Sequence, residues 1–193
     1  MRDLEPRGRP KAVRALVLYP MNALVEDQLV RLRRALDSDE AHRVLDEEAD
    51  GNRIFFGRYT SATPVTGWLQ HPRRAAERDE RNRVRRRIAE LQRWAVSAEA
   101  TRREAVAQAL RDDDPDLPFN FPRIAGAEML DRWEMQRHPP DILITNTSML
   151  STMLAREVEE PIWDQTRNWL LSDPDAYFFL VVDELHLQRG TSG

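Results

Sequence analysis

The chain of 193 residues contains no cysteine, and this absence excludes disulfides, thiol catalysis and thiolate metal sites. No run of apolar residues is long enough to span a membrane, and the first ten residues lack the apolar core of a signal peptide. We therefore expect a cytoplasmic protein with no membrane partner. With 41% hydrophobic and 32% charged residues, the composition fits one globular domain that buries a core.

Glycine and lysine are also scarce: there are seven glycines, and Lys11 is the only lysine. A phosphate-binding loop of the P-loop type needs a glycine-rich segment that ends in Gly-Lys followed by Ser or Thr. Lys11 lies between Pro10 and Ala12, so the sequence contains no such loop. A nucleotide site that uses this chain must therefore take its phosphate loop from elsewhere.

Positive charge is concentrated in one segment. The whole chain has a net charge of −4, yet residues 71–111 contain twelve arginines and only six acidic residues. Such a block can form a surface that binds a polyanion. More often, such a block is the solvated face of a long helix. The sequence alone leaves both interpretations open.

Apolar patterns alternate between strands and helices along the chain. The predicted strands are residues 13–19, 53–60, 141–145 and 177–182. A first helix is predicted from the helical spacing of Val25, Leu29, Leu32 and Leu36. A second helix is predicted after a cap at Asn146, Thr147 or Ser148. A third helix is predicted with Pro161 as its first residue. This alternation predicts an α/β fold in which helices cover a parallel sheet.

A long segment between the second and third predicted strands has no strand pattern. Apolar residues in residues 73–111 return at helical spacing, which predicts a helical hairpin or one long bent helix. Residues 112–122 contain three prolines and a run of acidic residues, which predicts an extended connector. We therefore expect an arginine-rich helical insertion over residues 68–125.

Two adjacent carboxylates follow the last predicted strand. Asp183, Glu184 and His186 come directly after the apolar residues 177–182. Parallel strands are apolar on both faces, and open α/β sheets bind ligands at the carboxyl ends of their strands. An acidic pair at the end of a central strand suits nucleotide hydrolysis, in which Asp183 holds Mg²⁺ through water and Glu184 orients or deprotonates the attacking water. A core strand followed by a polar turn gives the same pattern.

Three segments resemble, in order, the motifs of superfamily 2 helicases of the DEAD/DEAH-box type. Residues 19–28 (Tyr-Pro-Met-Asn-Ala-Leu-Val-Glu-Asp-Gln) resemble motif Ia, residues 141–150 (Asp-Ile-Leu-Ile-Thr-Asn-Thr-Ser-Met-Leu) resemble motif Ib and its flank, and residues 183–186 (Asp-Glu-Leu-His) resemble motif II. Residues 57–60 (Gly-Arg-Tyr-Thr) and Thr63 resemble the intervening strand and loop. The sequence is similar to large bacterial DNA helicases, among them repair helicases and the DISARM-type defence helicase.

This resemblance implies a partial RecA-like domain, the first of two motor domains in an ATP-dependent DNA helicase or translocase. ATP and Mg²⁺ are the implied cofactors; Asp183 and Glu184 face them, and His186 couples the nucleotide site to the second motor domain. Motifs Ia and Ib would hold the phosphates of one DNA strand without reading its bases. The implied nucleic-acid contacts are Pro20, Asn22, Gln28, Thr60, Thr63, Thr145, Asn146 and Ser148.

The resemblance also defines what residues 1–193 lack: the Walker A region and the second RecA-like domain. We therefore expect the chain to be inactive alone and to work with the missing motor segments in cis or in trans. One alternative is a non-catalytic module that binds DNA or a protein through its arginine-rich helices. Another is a metal-dependent hydrolase built on Asp183, Glu184 and His186.

Overall fold

The computed structural model describes residues 8–20 and 22–183, without the side chains of residues 22–24. These residues contain five strands and six α-helices. The strands are β1 (Ala15–Tyr19), β2 (Phe56–Arg58), β3 (Glu128–Met129), β4 (Ile142–Asn146) and β5 (Phe179–Val182). The helices are α1 (Asn22–Leu36), α2 (Asp39–Glu48), α3 (Arg78–Asp112), α4 (Arg132–Arg137), α5 (Thr147–Ala155) and α6 (Glu160–Ser172).

All five strands form one sheet in the order β3-β2-β4-β1-β5, and every neighbouring pair is parallel. Its inner strands are apolar on both faces. Leu143 packs on one face with Ile162 of α6, while Ile144 packs on the other face with Val25 and Leu29 of α1. Burial on both faces is what a parallel sheet between helices requires. The predicted α/β class is therefore confirmed.

The amino ends of the strands are tied together by the buried carboxylate of Asp141. It accepts hydrogen bonds from the guanidinium groups of Arg9 and Arg14 at 3.0 and 2.6 Å, and from the backbone N–H of Phe55 at 2.8 Å. Hydrogen bonds to an ionised acceptor are shorter and stronger than neutral ones. The Asp141 side chain thus fixes the relative positions of β1, β2 and β4 at their amino ends, opposite the carboxyl edge of the sheet.

The arginine-rich segment folds as one continuous helix, α3, of 35 residues. No glycine or proline interrupts it, Asp79 and Glu80 lie in its first turn, and Arg111 lies in its last turn. These charges complement the helix dipole. At 1.5 Å per residue the helix is about 52 Å long. The predicted long helix is therefore correct, and the alternative of a helical hairpin is wrong.

Three elements were not predicted: α2, β3 and α4. Helix α2 has no buried residue, although Ser38 caps it by accepting a hydrogen bond from the backbone N–H of Ala41 at 3.1 Å. Strand β3 has only two residues, of which Glu128 is buried and charged. Helix α2 and strand β3 therefore both lack the apolar periodicity on which the sequence prediction depends.

Across the described ranges, no helix combines the length and the apolarity needed to cross a membrane.

Gly126, just before β3, lets the backbone pass close to Asp37. A Cβ atom at this position would collide with the Asp37 carboxylate. Asp37 is buried and held in place by the backbone N–H of Ala127, which donates to it at 2.7 Å. We expect Gly126→Ala to lower the free energy of unfolding by about 1–3 kcal/mol, as overpacking does. Gly8→Ala is the control, since a Cβ atom there meets nothing within 4 Å. Equal urea midpoints for the two variants would contradict this prediction.

Candidate functional site

The carboxyl ends of three adjacent strands bring the candidate residues to one edge of the sheet. Tyr19 at the end of β1 aligns with Asn146 at the end of β4. On the other side of β1, the backbone N–H of Asp183 donates to the carbonyl oxygen of Leu18 at 3.0 Å. Pro20, Asn146 and Asp183 therefore lie at the carboxyl ends of neighbouring strands. Ligands of open parallel sheets bind at this edge.

Asp183 is a partly exposed side chain at the end of β5. Burial and, after it, the negative charge of Asp183 raise the pKa of the Tyr19 hydroxyl, while the charge of Arg31 acts in the opposite direction. The carboxylate is thus close to the segment that leads into α1. An accessible carboxylate at a strand end fits Mg²⁺, which keeps several of its own waters. Glu184 and His186 lie outside the described residues.

Strand β5 is at the edge of the sheet, whereas the sequence predicts a central strand before the acidic pair; that prediction is wrong for the described residues. Phe179, Leu180 and Val181 are 62%, 57% and 48% exposed. Because successive side chains of a strand point to opposite faces, both faces of β5 carry exposed apolar groups. Edge strands are usually protected by charge or proline. β5 has the sequence of a central strand, but in the part of the chain that the structure describes it has a neighbour, β1, on one side only.

Strand β4 leads directly into α5 and exposes the start of this helix. Asn146 is the N-cap, as its side-chain oxygen accepts a hydrogen bond from the backbone N–H of Met149 at 2.8 Å. This confirms the predicted cap. Ser148 is exposed in the first turn. The N-terminus of a helix offers backbone N–H groups and a positive dipole end to an anion.

Three of the predicted nucleic-acid contacts are buried: Thr60, Thr63 and Thr145 are 1%, 4% and 0% exposed. The Thr145 hydroxyl donates to the carbonyl oxygen of Tyr59 at 2.6 Å. The Thr63 hydroxyl donates to the carbonyl oxygen of Arg58 at 2.6 Å and accepts from the backbone N–H of Thr60 at 2.9 Å. These hydroxyls brace the loop after β2, and in this structure their side chains do not reach a surface ligand.

Of the remaining predicted contacts, Pro20 lies between β1 and α1, whereas Asn22 and Gln28 lie within α1. Pro20, which directly follows β1, and Gln28 are both half-buried. The side chain of Asn22, where α1 begins, lies outside what the structure describes. Contact of these three residues with nucleic acid stays a prediction.

A buried polar network beneath the loop after β2 was not predicted. The Tyr59 hydroxyl donates to Glu159 at 2.9 Å and accepts from Gln136 at 3.1 Å. The guanidinium of Arg132 is 5.1 Å from the Tyr59 ring centre and donates to the carbonyl oxygen of Thr60 at 2.7 Å. Burial raises the pKa of both the Tyr59 hydroxyl and the Glu159 carboxyl. The network holds the loop rigidly against the helices behind the sheet.

A parallel sheet between helices, with polar loops along its carboxyl edge, defines an α/β domain that is compatible with a partial RecA-like fold. Neither a protein-family model nor a solved structure matches the chain. The chain is similar to Druantia protein DruE from Escherichia coli (strain UMEA 4076-1), with 33% identity over 223 residues. The match covers 98% of this chain and 12% of DruE, so the chain spans a small part of the length of that relative.

Proposed function

We propose that this chain is part of an ATP-dependent DNA helicase or translocase and forms the carboxyl edge of its first motor domain. One observation carries the proposal. The segment that resembles motif Ia starts at the end of β1, the one that resembles motif Ib contains β4 and the start of α5, and the one that resembles motif II follows β5. These three strands are neighbours in one parallel sheet. The segments are far apart in sequence, and a functional edge requires them to be adjacent in space.

In the proposed nucleotide site, Asp183 holds Mg²⁺ through water and Glu184 orients or deprotonates the attacking water. Bound Mg²⁺–ATP supplies the phosphoryl group that is transferred. His186 links this site to the second motor domain. Because the sequence has no Gly-Lys-Ser/Thr loop, another segment of the protein or a partner subunit provides the phosphate loop.

The exposed apolar faces of β5 support the proposal that other segments complete the nucleotide site. Phe179 and Val181 are on one face of the strand and Leu180 is on the other. Both faces become buried when further strands and helices extend the sheet beyond β5. Such extension agrees with a chain that matches 12% of a much longer relative. We further propose, from the similarity to Druantia protein DruE, that the whole protein acts in a defence system.

In the proposed nucleic-acid site, Ser148 and the first turn of α5 bind a phosphate of one strand. Asn146 holds the start of the helix in place, and the buried Thr145 braces the loop beside it. Contacts of this kind hold the backbone and do not read sequence. They suit a motor that moves along DNA of any sequence.

Ser148→Ala tests this site in the complete protein. We expect it to weaken binding of a single-stranded oligonucleotide roughly tenfold, because a hydrogen bond to a charged phosphate is lost. Ser151→Ala is the matched control: Ser151 is exposed on the same helix, and its hydroxyl donates to the carbonyl oxygen of Thr147 at 3.0 Å. Fluorescence anisotropy measures both affinities. Equal affinities for the two variants would exclude α5 from the DNA path.

A further inference from the structure

The first half of α3 carries a row of arginines on one side. Arg78, Arg81 and Arg85 follow at spacings of three and four residues, which places them on the same face of the helix. Arg86 and Arg93 are seven residues apart and form a second line beside the first. All five side chains are exposed. From Arg78 to Arg93 the row extends about 22 Å along the helix axis.

The side chains of these five arginines form neither an ion pair nor a hydrogen bond with any residue in the described ranges. Three other exposed arginines, Arg43, Arg103 and Arg167, each pair with an acidic residue three or four positions away on their own helix. Like charges at helical spacing repel one another and destabilise the helix. The row is therefore distinguished by five unpaired positive charges that are concentrated on one side of one helix.

The other side of α3 fixes the helix to the domain. The guanidinium of Arg83 donates to the carbonyl oxygen of Trp68 at 2.6 Å, and that of Arg102 donates to the carbonyl oxygen of Pro118 at 2.8 Å. Ala105 and Ala109 are buried. Because these contacts set the rotation of the helix about its axis, the arginine row is held facing solvent.

We propose that the arginine row, defined as Arg78, Arg81, Arg85, Arg86 and Arg93, binds the phosphate backbone of duplex DNA. Guanidinium groups match phosphate geometry and remain charged at any physiological pH. A row of charges that is carried by one continuous helix suits a stiff duplex, whose persistence length is about 50 nm, better than a flexible single strand. The inference goes beyond the proposed function, because the row requires neither ATP nor the acidic motif.

The salt dependence of duplex binding tests the row directly, since each phosphate contact contributes about 0.9 to the slope of log K against log salt concentration. In the complete protein, the triple variant Arg78→Gln, Arg81→Gln and Arg85→Gln is expected to reduce this slope by about 2.7. The matched control is Arg43→Gln, Arg103→Gln and Arg167→Gln. It removes the same charge from exposed helical positions that are already paired, and we expect its slope to stay unchanged.

Each outcome supports or overturns the proposal. Arg→Lys at the three row positions should retain the slope, because lysine still neutralises phosphate. Equal slopes for the row and control variants would overturn the proposal, and so would an effect confined to single-stranded oligonucleotides or to a protein partner. Circular dichroism confirms that the variants are folded. Binding is measured without ATP, so a failure of the proposed ATP hydrolysis leaves this test unaffected.

Discussion

Glu184→Gln in the complete protein is expected to lower ATP turnover at least about a hundredfold, the scale of general-base catalysis. Glutamine has nearly the size of glutamate but cannot accept the proton of the attacking water. The nucleotide still binds, because the phosphate loop and Asp183 are unchanged. Phosphate release at saturating ATP and single-stranded DNA measures the effect, and equilibrium binding of ATP separates it from loss of affinity.

Glu48→Gln is the matched control for this experiment. Glu48 is exposed at the end of α2, away from the carboxyl edge of the sheet, and its change to glutamine alters the net charge by the same amount. We expect wild-type turnover from it. If Glu184→Gln also retained full turnover, the acidic pair would not serve hydrolysis. The turn after a core strand would then explain the sequence, and the helicase proposal would lose its catalytic part.

Sequence reasoning succeeded where a residue's burial follows from local spacing. Val25 and Leu29 are fully buried, as their positions on one helical stripe predict. The prediction that β5 is a central strand failed for a different reason. The apolar pattern of a strand indicates that both of its faces are covered, but it does not identify the residues that cover them. Phe179 and Leu180 look like central residues, yet the strand that would flank them is not among those the structure describes.

The candidate site shows the same limit at the level of single side chains. Thr145 and Ser148 belong to one motif, but Thr145 points into the interior of the sheet and Ser148 is exposed on the first helical turn. A motif gives a residue's place along the chain and not its exposure. The pair of Tyr59 and Glu159 was beyond prediction for another reason: the two residues are 100 positions apart, and the pattern that places Tyr59 in a strand does not reveal its partner.

The buried ion pair between Arg33 and Glu128 gives the largest expected effect on stability. Arg33 Nε and Nη2 donate to the two carboxylate oxygens at 2.6 and 2.9 Å, and the side chains are only 6% and 5% exposed. The pair joins α1, which contains most of the motif Ia segment, to β3, which follows the insertion. We expect Glu128→Met to lower the free energy of unfolding by about 3–5 kcal/mol, because it leaves a buried guanidinium without its partner.

The double variant Arg33→Met and Glu128→Met should be destabilised less than either single variant, since no unpaired charge then stays buried. Arg34→Met is the control. Arg34 is the next residue of α1 and pairs with Asp116 at 2.9 Å, but both side chains are more than half exposed, and such pairs contribute about 0–1 kcal/mol. Urea unfolding gives all four values. Two results would contradict this prediction. In one, the loss of unfolding free energy in the double variant equals the sum of the two single losses. In the other, Glu128→Met loses no more than Arg34→Met.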